Sequence, residues 1–444
     1  MTLRQPILLL LLGLALVRGL LYASIVPPWQ APDEPAQFER TRAALSSAEW
    51  RSTSADRLPW YDSLVQSLFT FDFWDFLPGA RRVYSPDAPL NQYLTPYQEA
   101  YRGLYGNRFT YALMGWPLFL ARNLDITLQL YLVRLNTVLM NTAIIGLAYL
   151  ITRTIFPHDP FLIFGVPLLI LFNPQHTHLL ATVNNGNLAE LFTAAALYFM
   201  VKGVVQGFSG LNILAVMGFS FIAMWTKATA YFLPFTIAVI GLFYLWRYRG
   251  RWPWLLPLGL ILVGAIYLFS PERLKLLTTS AWAQLRTGGL SLDPIVPITL
   301  FRSFWAMPGW LTLQLHPFWY QLLLVACILA AIGLIIFVAG RWPLLFSKPF
   351  QPRIQALVLL AVAALVAVAV LLGWSAIAGT ITYRQGRSAY PVIVPISLFL
   401  MLGWRQLIPA SWRNQGLLGL AAGLILFDSV VLFHYLIPFF YSRY

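Results

Sequence analysis

The stretch PILLLLLGLALVRGLLYASIV, residues 6–26, decides the fold class. It carries a single charge and reaches the roughly 20 apolar residues that cross a bilayer core of about 30 Å. Behind Arg4 it superficially resembles a secretory signal, but its length and the many apolar runs that follow read as an uncleaved first span. Arg18 sits near the far end, where it either snorkels to the headgroups or meets a phosphate. The rest of the chain agrees: of 444 residues 59% are hydrophobic and 10% charged, and the mean hydropathy is +0.68. Such a chain cannot hide its apolar residues in a water-soluble core. Further runs fall near 128–152, 160–178, 188–206, 211–230, 232–246, 253–270, 317–339, 354–376, 389–406 and 416–438. The expectation is an all-α integral membrane protein with about eleven transmembrane helices, forming one polytopic domain over 1–444.

Two polar stretches interrupt the runs: 27–127, an outer-face loop, and 271–316, a second outer loop. Orientation follows from the cations, which collect in short cytoplasmic loops. Arg4, Arg153, Lys202, Arg247, Arg249, Arg251, Arg341, Lys348, Arg353, Arg405 and Arg413 fall on one side, and the short connections opposite carry only Arg384 and Arg387. This places the N-terminus in the cytoplasm and both long loops outside a plasma (inner) membrane. The formal charge of +14 therefore reports topology and not a nucleic-acid partner. Segment 109–122, FTYALMGWPLFLAR, is short, and counting it as a crossing inverts the charge pattern, so it reads as interfacial or re-entrant. Between 40 and 108, Trp50, Trp60, Tyr61, Phe71, Phe73, Trp74 and Phe76 alternate with acids and bases, as in amphipathic helices lying on the outer leaflet. The one cysteine, Cys327, lies in an apolar run, which excludes a disulfide framework and a Cys-ligated metal.

All but three of the 16 acids, Asp159, Glu190 and Asp428, fall in the outer loops, so acid chemistry belongs to that face. The sharpest feature is PPWQAPDEPAQFER, residues 27–40. Four prolines deny it continuous helix and present Asp33 and Glu34 on a stiff turn beside Trp29 and Phe38. Two adjacent carboxylates there suit a general base; alternatively Asp33 simply caps the helix that follows. NPQHTHLLATVNNGNLAE, residues 173–190, brings His176, His178, Asn184 and Asn185 to an outward edge. Such groups are costly beside hydrocarbon, so they line a wet cavity, as satisfied cap residues or with a histidine as base or metal ligand. Lys227, in MWTKATAYF, closes its span near the outer end and pairs with a phosphate or with headgroups. TYRQGRSAYP, residues 382–391, places Arg384, Gln385 and Arg387 on an outer loop that charge rules keep free of cations; two guanidiniums at a helix start form a phosphate clamp. Trp305 and Trp310, in SFWAMPGW, offer aromatic faces to a sugar or isoprenyl chain, or form an interfacial belt. No phosphate loop, HExxH helix or GxSxG elbow is present, and no cytoplasmic connection is long enough to fold a nucleotide-binding domain. The activated group then has to arrive on a lipid.

An acidic motif in a long first outer loop just after the first helix resembles the GT-C superfamily of polytopic glycosyltransferases. Closer still, PPWQAPDEPAQF, VNNGNLA, WTK, SFWAMPGW and RQGRSAYP, in this order over about 27–395, resemble a large bacterial membrane family of unassigned function. The resemblance implies inverting transfer of a sugar from a polyprenyl-phosphate donor to a cell-envelope glycan, lipid or protein acceptor. It implies Asp33 as catalytic base and Glu34 as its partner, orienting the acceptor or a metal. Arg384 and Arg387 are then donor-phosphate ligands, with Lys227 a weaker one; Gln385, His176, Asn184, Asn185 and Trp305 complete the substrate contacts. The resembled motifs read APDEPAHF and VNNDNLA, so Gln37 and Gly186 replace a histidine and an aspartate, which leaves a divalent cation open. Against this stand a transporter or flippase of a lipid-linked saccharide and a non-catalytic assembly component.

Overall fold

The computed structural model describes residues 4–51, 58–76, 107–247, 295–341, 351–378 and 385–442. The expected span 253–270, residues 271–294 of the second outer loop and Arg384 lie outside the described residues. All regular structure among the described residues is helical. In chain order the helices are α1 (Arg4–Ile25), α2 (Glu34–Ala43), α3 (Ser47–Arg51), α4 (Tyr61–Thr70), α5 (Phe73–Phe76), α6 (Arg108–Met114), α7 (Ile126–Ile155), α8 (Pro160–Leu171) and α9 (Pro174–Leu180). They continue as α10 (Asn185–Gln206), α11 (Gly210–Thr226), α12 (Leu233–Arg247), α13 (Ile295–Trp305), α14 (Pro317–Ala339), α15 (Pro352–Ala378), α16 (Ile393–Leu407), α17 (Arg413–Val430) and α18 (Ile437–Tyr441). Seven helical segments among them are long and apolar enough to cross a membrane: Pro6–Ile25, Ile126–Ile155, Asn185–Gln206, Pro317–Ala339, Pro352–Gly373, Gly386–Leu407 and Ala410–Tyr441. Leu9, Leu10, Leu322, Val325, Ile335 and Leu426 on these helices stay exposed, as side chains facing hydrocarbon do.

The elements start where the chemistry of their first residues tells them to. Asp125 accepts from the N–H of Thr127 (2.8 Å) and caps α7, and Asn184 accepts from the N–H of Gly186 (2.8 Å) and caps α10. The run expected as one span over 160–178 is broken. Proline 174 disfavours helical backbone at Asn173, which instead caps α9 by accepting from the N–H of His176 (3.0 Å). The last run bends through a π-helical turn, Val431–Leu436, just before Pro438, whose ring cannot continue regular helix. Segment 109–122 holds only the seven-residue α6 and a 3-10 turn, Trp116–Phe119, far short of a crossing.

Two expectations need correction. Arg18 neither snorkels nor waits for a substrate phosphate: it is buried, its Nε donates to Asp428 Oδ2 (2.7 Å), and it also donates to Leu171 O and Thr177 Oγ1. Tyr22 donates its hydroxyl to the same carboxylate (2.7 Å), so this internal pair ties α1 to α17 and to the α8–α9 break. The early aromatic helices also do not offer their apolar faces to lipid. Tyr61, Leu64, Val65 and Leu68 of α4 are buried with Trp29, Phe38, Leu130 and Val133 in a core of their own, against the first half of α7.

Asp159, which caps α8, pairs with Arg405 at the end of α16. This fixes one end of the bundle; the start of α7, α9, the start of α10 and the end of α11 lie at the other, where the Pro-rich turn packs.

Candidate functional site

Residues 27–34 form a knot of turns anchored from below. Glu34, fully buried, accepts four hydrogen bonds: from Arg134 Nε (2.9 Å) and Nη2 (2.6 Å), from the N–H of Trp29 (3.0 Å) and from the N–H of Val183 (3.0 Å). Arg134 completes the clasp by donating to the carbonyls of Ala23 (2.9 Å), Val26 (2.6 Å) and Pro27 (3.0 Å). Glu34 is thus a strut joining the turn to α7 and to the segment before α10, with no oxygen left to orient an acceptor; the expected role as partner of the base does not fit its place. Trp29 and Asp33 both take left-handed backbone, at φ 73° and 65°. Each costs on the order of 1–2 kcal/mol for a residue with a Cβ, strain that the clasp sustains.

Asp33 stands at the start of α2 but makes no side-chain cap bond. Its carboxylate points outward and meets Arg387, Nη2 to Oδ2 at 2.9 Å. The early carboxylate turn and the late arginine motif therefore converge in space. Arg387 is positioned by the 3-10 turn Gly386–Val392, which lies directly on α13: the Gly386 N–H donates to Ser303 Oγ (2.7 Å), and a Cβ at Gly386 would fall on Leu300 O and Phe304 N.

Arg387 and Lys227 face one cavity, also lined by Asn184, Gly186, Glu190 and Thr229. It has about 30 Å³ of room for water, about two molecules. Lys227 ends α11, and its Nζ makes one long contact, 3.4 Å to Asn184 Oδ1. Among the described residues, buried Arg387 Nη1 and Thr229 Oγ1 have no hydrogen-bond partner. Gly186 matters for the same space: a Cβ there would lie 2.9 Å from Asn184 Oδ1 and 3.0 Å from Lys227 Nζ. Gln37, the other departure from the resembled motifs, adjoins the same turn, its Oε1 accepting from Tyr111 Oη (2.9 Å) and from the N–H of Asn185 (3.3 Å).

The remaining expected residues stand farther back. His176 Nε2 is 2.6 Å from Glu190 Oε1, so the ring supports the wall of the cavity from behind, edge-on to Tyr390. His178 turns the other way and accepts the Gly309 N–H on Nε2 (3.3 Å). Asn185 donates to Tyr111 Oη (3.3 Å) and does not line the cavity; Gln385 is buried at the foot of the 3-10 turn. Trp305 presents no face to a substrate, being 4% exposed and part of the main core. Three residues passed over in the motifs shape the site: Arg134, Glu190 and Thr229. The first two were visible as charges within apolar runs, which require a partner or a wet neighbour.

Among the described residues no three of His, Cys, Asp and Glu gather to hold a metal ion. Asp33 is paired with Arg387 and Glu190 with His176. A second, open groove of about 270 Å³, lined by Leu113, Trp116, Leu139, Leu188 and Phe192, runs along the opposite face of α10. No protein-family model and no characterised protein matches the chain.

Proposed function

We propose that this chain is an inverting glycosyltransferase of GT-C type that moves a sugar from a polyprenyl-phosphate donor to a hydroxyl of a cell-envelope glycan, lipid or protein at the outer face of the plasma membrane. The reading includes about eleven crossings and a cytoplasmic N-terminus. The observation that carries it is the juxtaposition of Asp33 with Arg387 at 2.9 Å, beside Lys227 and a cavity whose donors are not all satisfied.

In the proposed reaction Asp33 takes the proton of the acceptor hydroxyl as its oxygen bonds to the anomeric carbon. The bond from that carbon to the phosphate oxygen breaks, and its electron pair leaves with the polyprenyl phosphate. One base suffices, because a phosphate leaves without protonation. Arg387 and Lys227 neutralise the charge growing on the leaving oxygen, an effect worth a few kcal/mol where water is excluded. The apolar groove beside α10 gives a lipid chain a place near the same helix.

The test is turnover by the purified chain in vesicles loaded with a polyprenyl-phosphate sugar and an acceptor extract. Release of polyprenyl phosphate with a new glycosidic bond, reduced by about 10²- to 10⁴-fold in Asp33→Asn, is the expected outcome. Undiminished transfer by a folded Asp33→Asn protein would remove Asp33 as the base.

A further inference from the structure

We infer that Arg387, Lys227 and Thr229 form a seat for one phosphate group, and that the Asp33 carboxylate occupies part of it until a phosphate displaces it. That Asp33 is then released as a base rests on the transferase reading; the anion seat does not.

Three observations converge. Arg387 spends Nη2 on Asp33 but leaves Nη1 buried and unpartnered, and Thr229 Oγ1 is buried and unpartnered on the wall of the same cavity. Lys227, with three donors, makes only the 3.4 Å contact to Asn184 among the described residues. At Gly186, where a side chain would reach Lys227, there is none, and Glu190, one turn further along α10 on the same cavity, is held by His176. Buried donors without acceptors are rare in folded proteins and mark a place where something else binds.

The present occupant can leave. The Asp33 side chain is 32% exposed and that of Arg387 15%, so water weakens their attraction. Asp33 makes no cap bond, and its backbone is held from below by the Glu34–Arg134 clasp, so the carboxylate swings out by side-chain rotation alone. A phosphate brings more charge and three acceptor oxygens to the same donors. Free phosphate and a prenyl phosphate share this chemistry.

The experiment uses the full chain in nanodiscs, titrated with farnesyl phosphate and, separately, with inorganic phosphate as competitor. Wild type should bind farnesyl phosphate, with inorganic phosphate displacing it weakly. Asp33→Asn, which keeps the shape and removes the competing charge, should bind about fivefold tighter, equivalent to ~1 kcal/mol. Gly186→Asp, placing a carboxylate on Lys227, should bind at least about tenfold more weakly. Equal displacement by either phosphate would assign the seat to free phosphate. Binding that is indifferent to inorganic phosphate and unchanged in both variants would put the probe in the apolar groove and overturn the inference. If Asp33→Asn binds no tighter while wild type transfers sugar, the seat fails and the transferase stands. If binding follows the pattern but no transfer occurs, the seat stands and the transferase fails.

Discussion

Glu34 and Asp33 are neighbours in sequence and should behave oppositely when neutralised. Glu34 is wholly buried, as is Arg134, and its two oxygens accept four hydrogen bonds, two from the guanidinium and two from backbone. In Glu34→Gln one oxygen becomes an NH2 group that faces two donors, and the Arg134 charge loses its counter-ion without access to water. Breaking a buried pair from one side costs on the order of 3–5 kcal/mol. The Asp33–Arg387 pair is partly open to solvent, and Asp33→Asn should change stability by less than about 1 kcal/mol. Thermal unfolding in detergent, followed by tryptophan fluorescence and checked by size-exclusion chromatography, measures both. The clasp would be refuted by a Glu34→Gln protein as stable as wild type, or by an Asp33→Asn protein destabilised as much as Glu34→Gln.

Two further outcomes follow from the geometry. Lys227→Met, which keeps the length of the side chain and removes the ammonium, should weaken farnesyl phosphate binding at least about tenfold. Gly386→Ala would press a methyl group onto the backbone of α13, so the 3-10 turn must shift; phosphate-probe binding should drop with Arg387 displaced, while Gly419→Ala, in open space on α17, should leave it unchanged.

Much of the bundle could be read from apolar runs, because length and hydropathy alone identify a helix able to cross a bilayer. What could not be read was which surface an apolar face meets. Tyr61, Leu64 and Leu68 repeat as they would on a lipid-lying helix, and the pattern is the same when the partner is α7. The break at Asn173 was concealed by the apolar residues on both sides of it, although Asn-Pro is a helix-start signal. The site was partly visible. Arg387 stood out as a cation where topology disfavours one, and Asp33 as a carboxylate on a proline-stiffened turn. That the two meet is a contact across most of the chain, which no local pattern encodes. Which of two adjacent carboxylates turns inward depends on Arg134, one hundred positions later, and Trp305 reads equally well as a platform or as core until its neighbours are known.

The most direct test is a cryo-EM map of the chain in nanodiscs with a polyprenyl-phosphate sugar bound. Phosphate density between Arg387 and Lys227, with the Asp33 carboxylate turned away from Arg387 toward the anomeric carbon, is the expected result. Lipid phosphate elsewhere on the chain, with the Asp33–Arg387 pair intact, would contradict it.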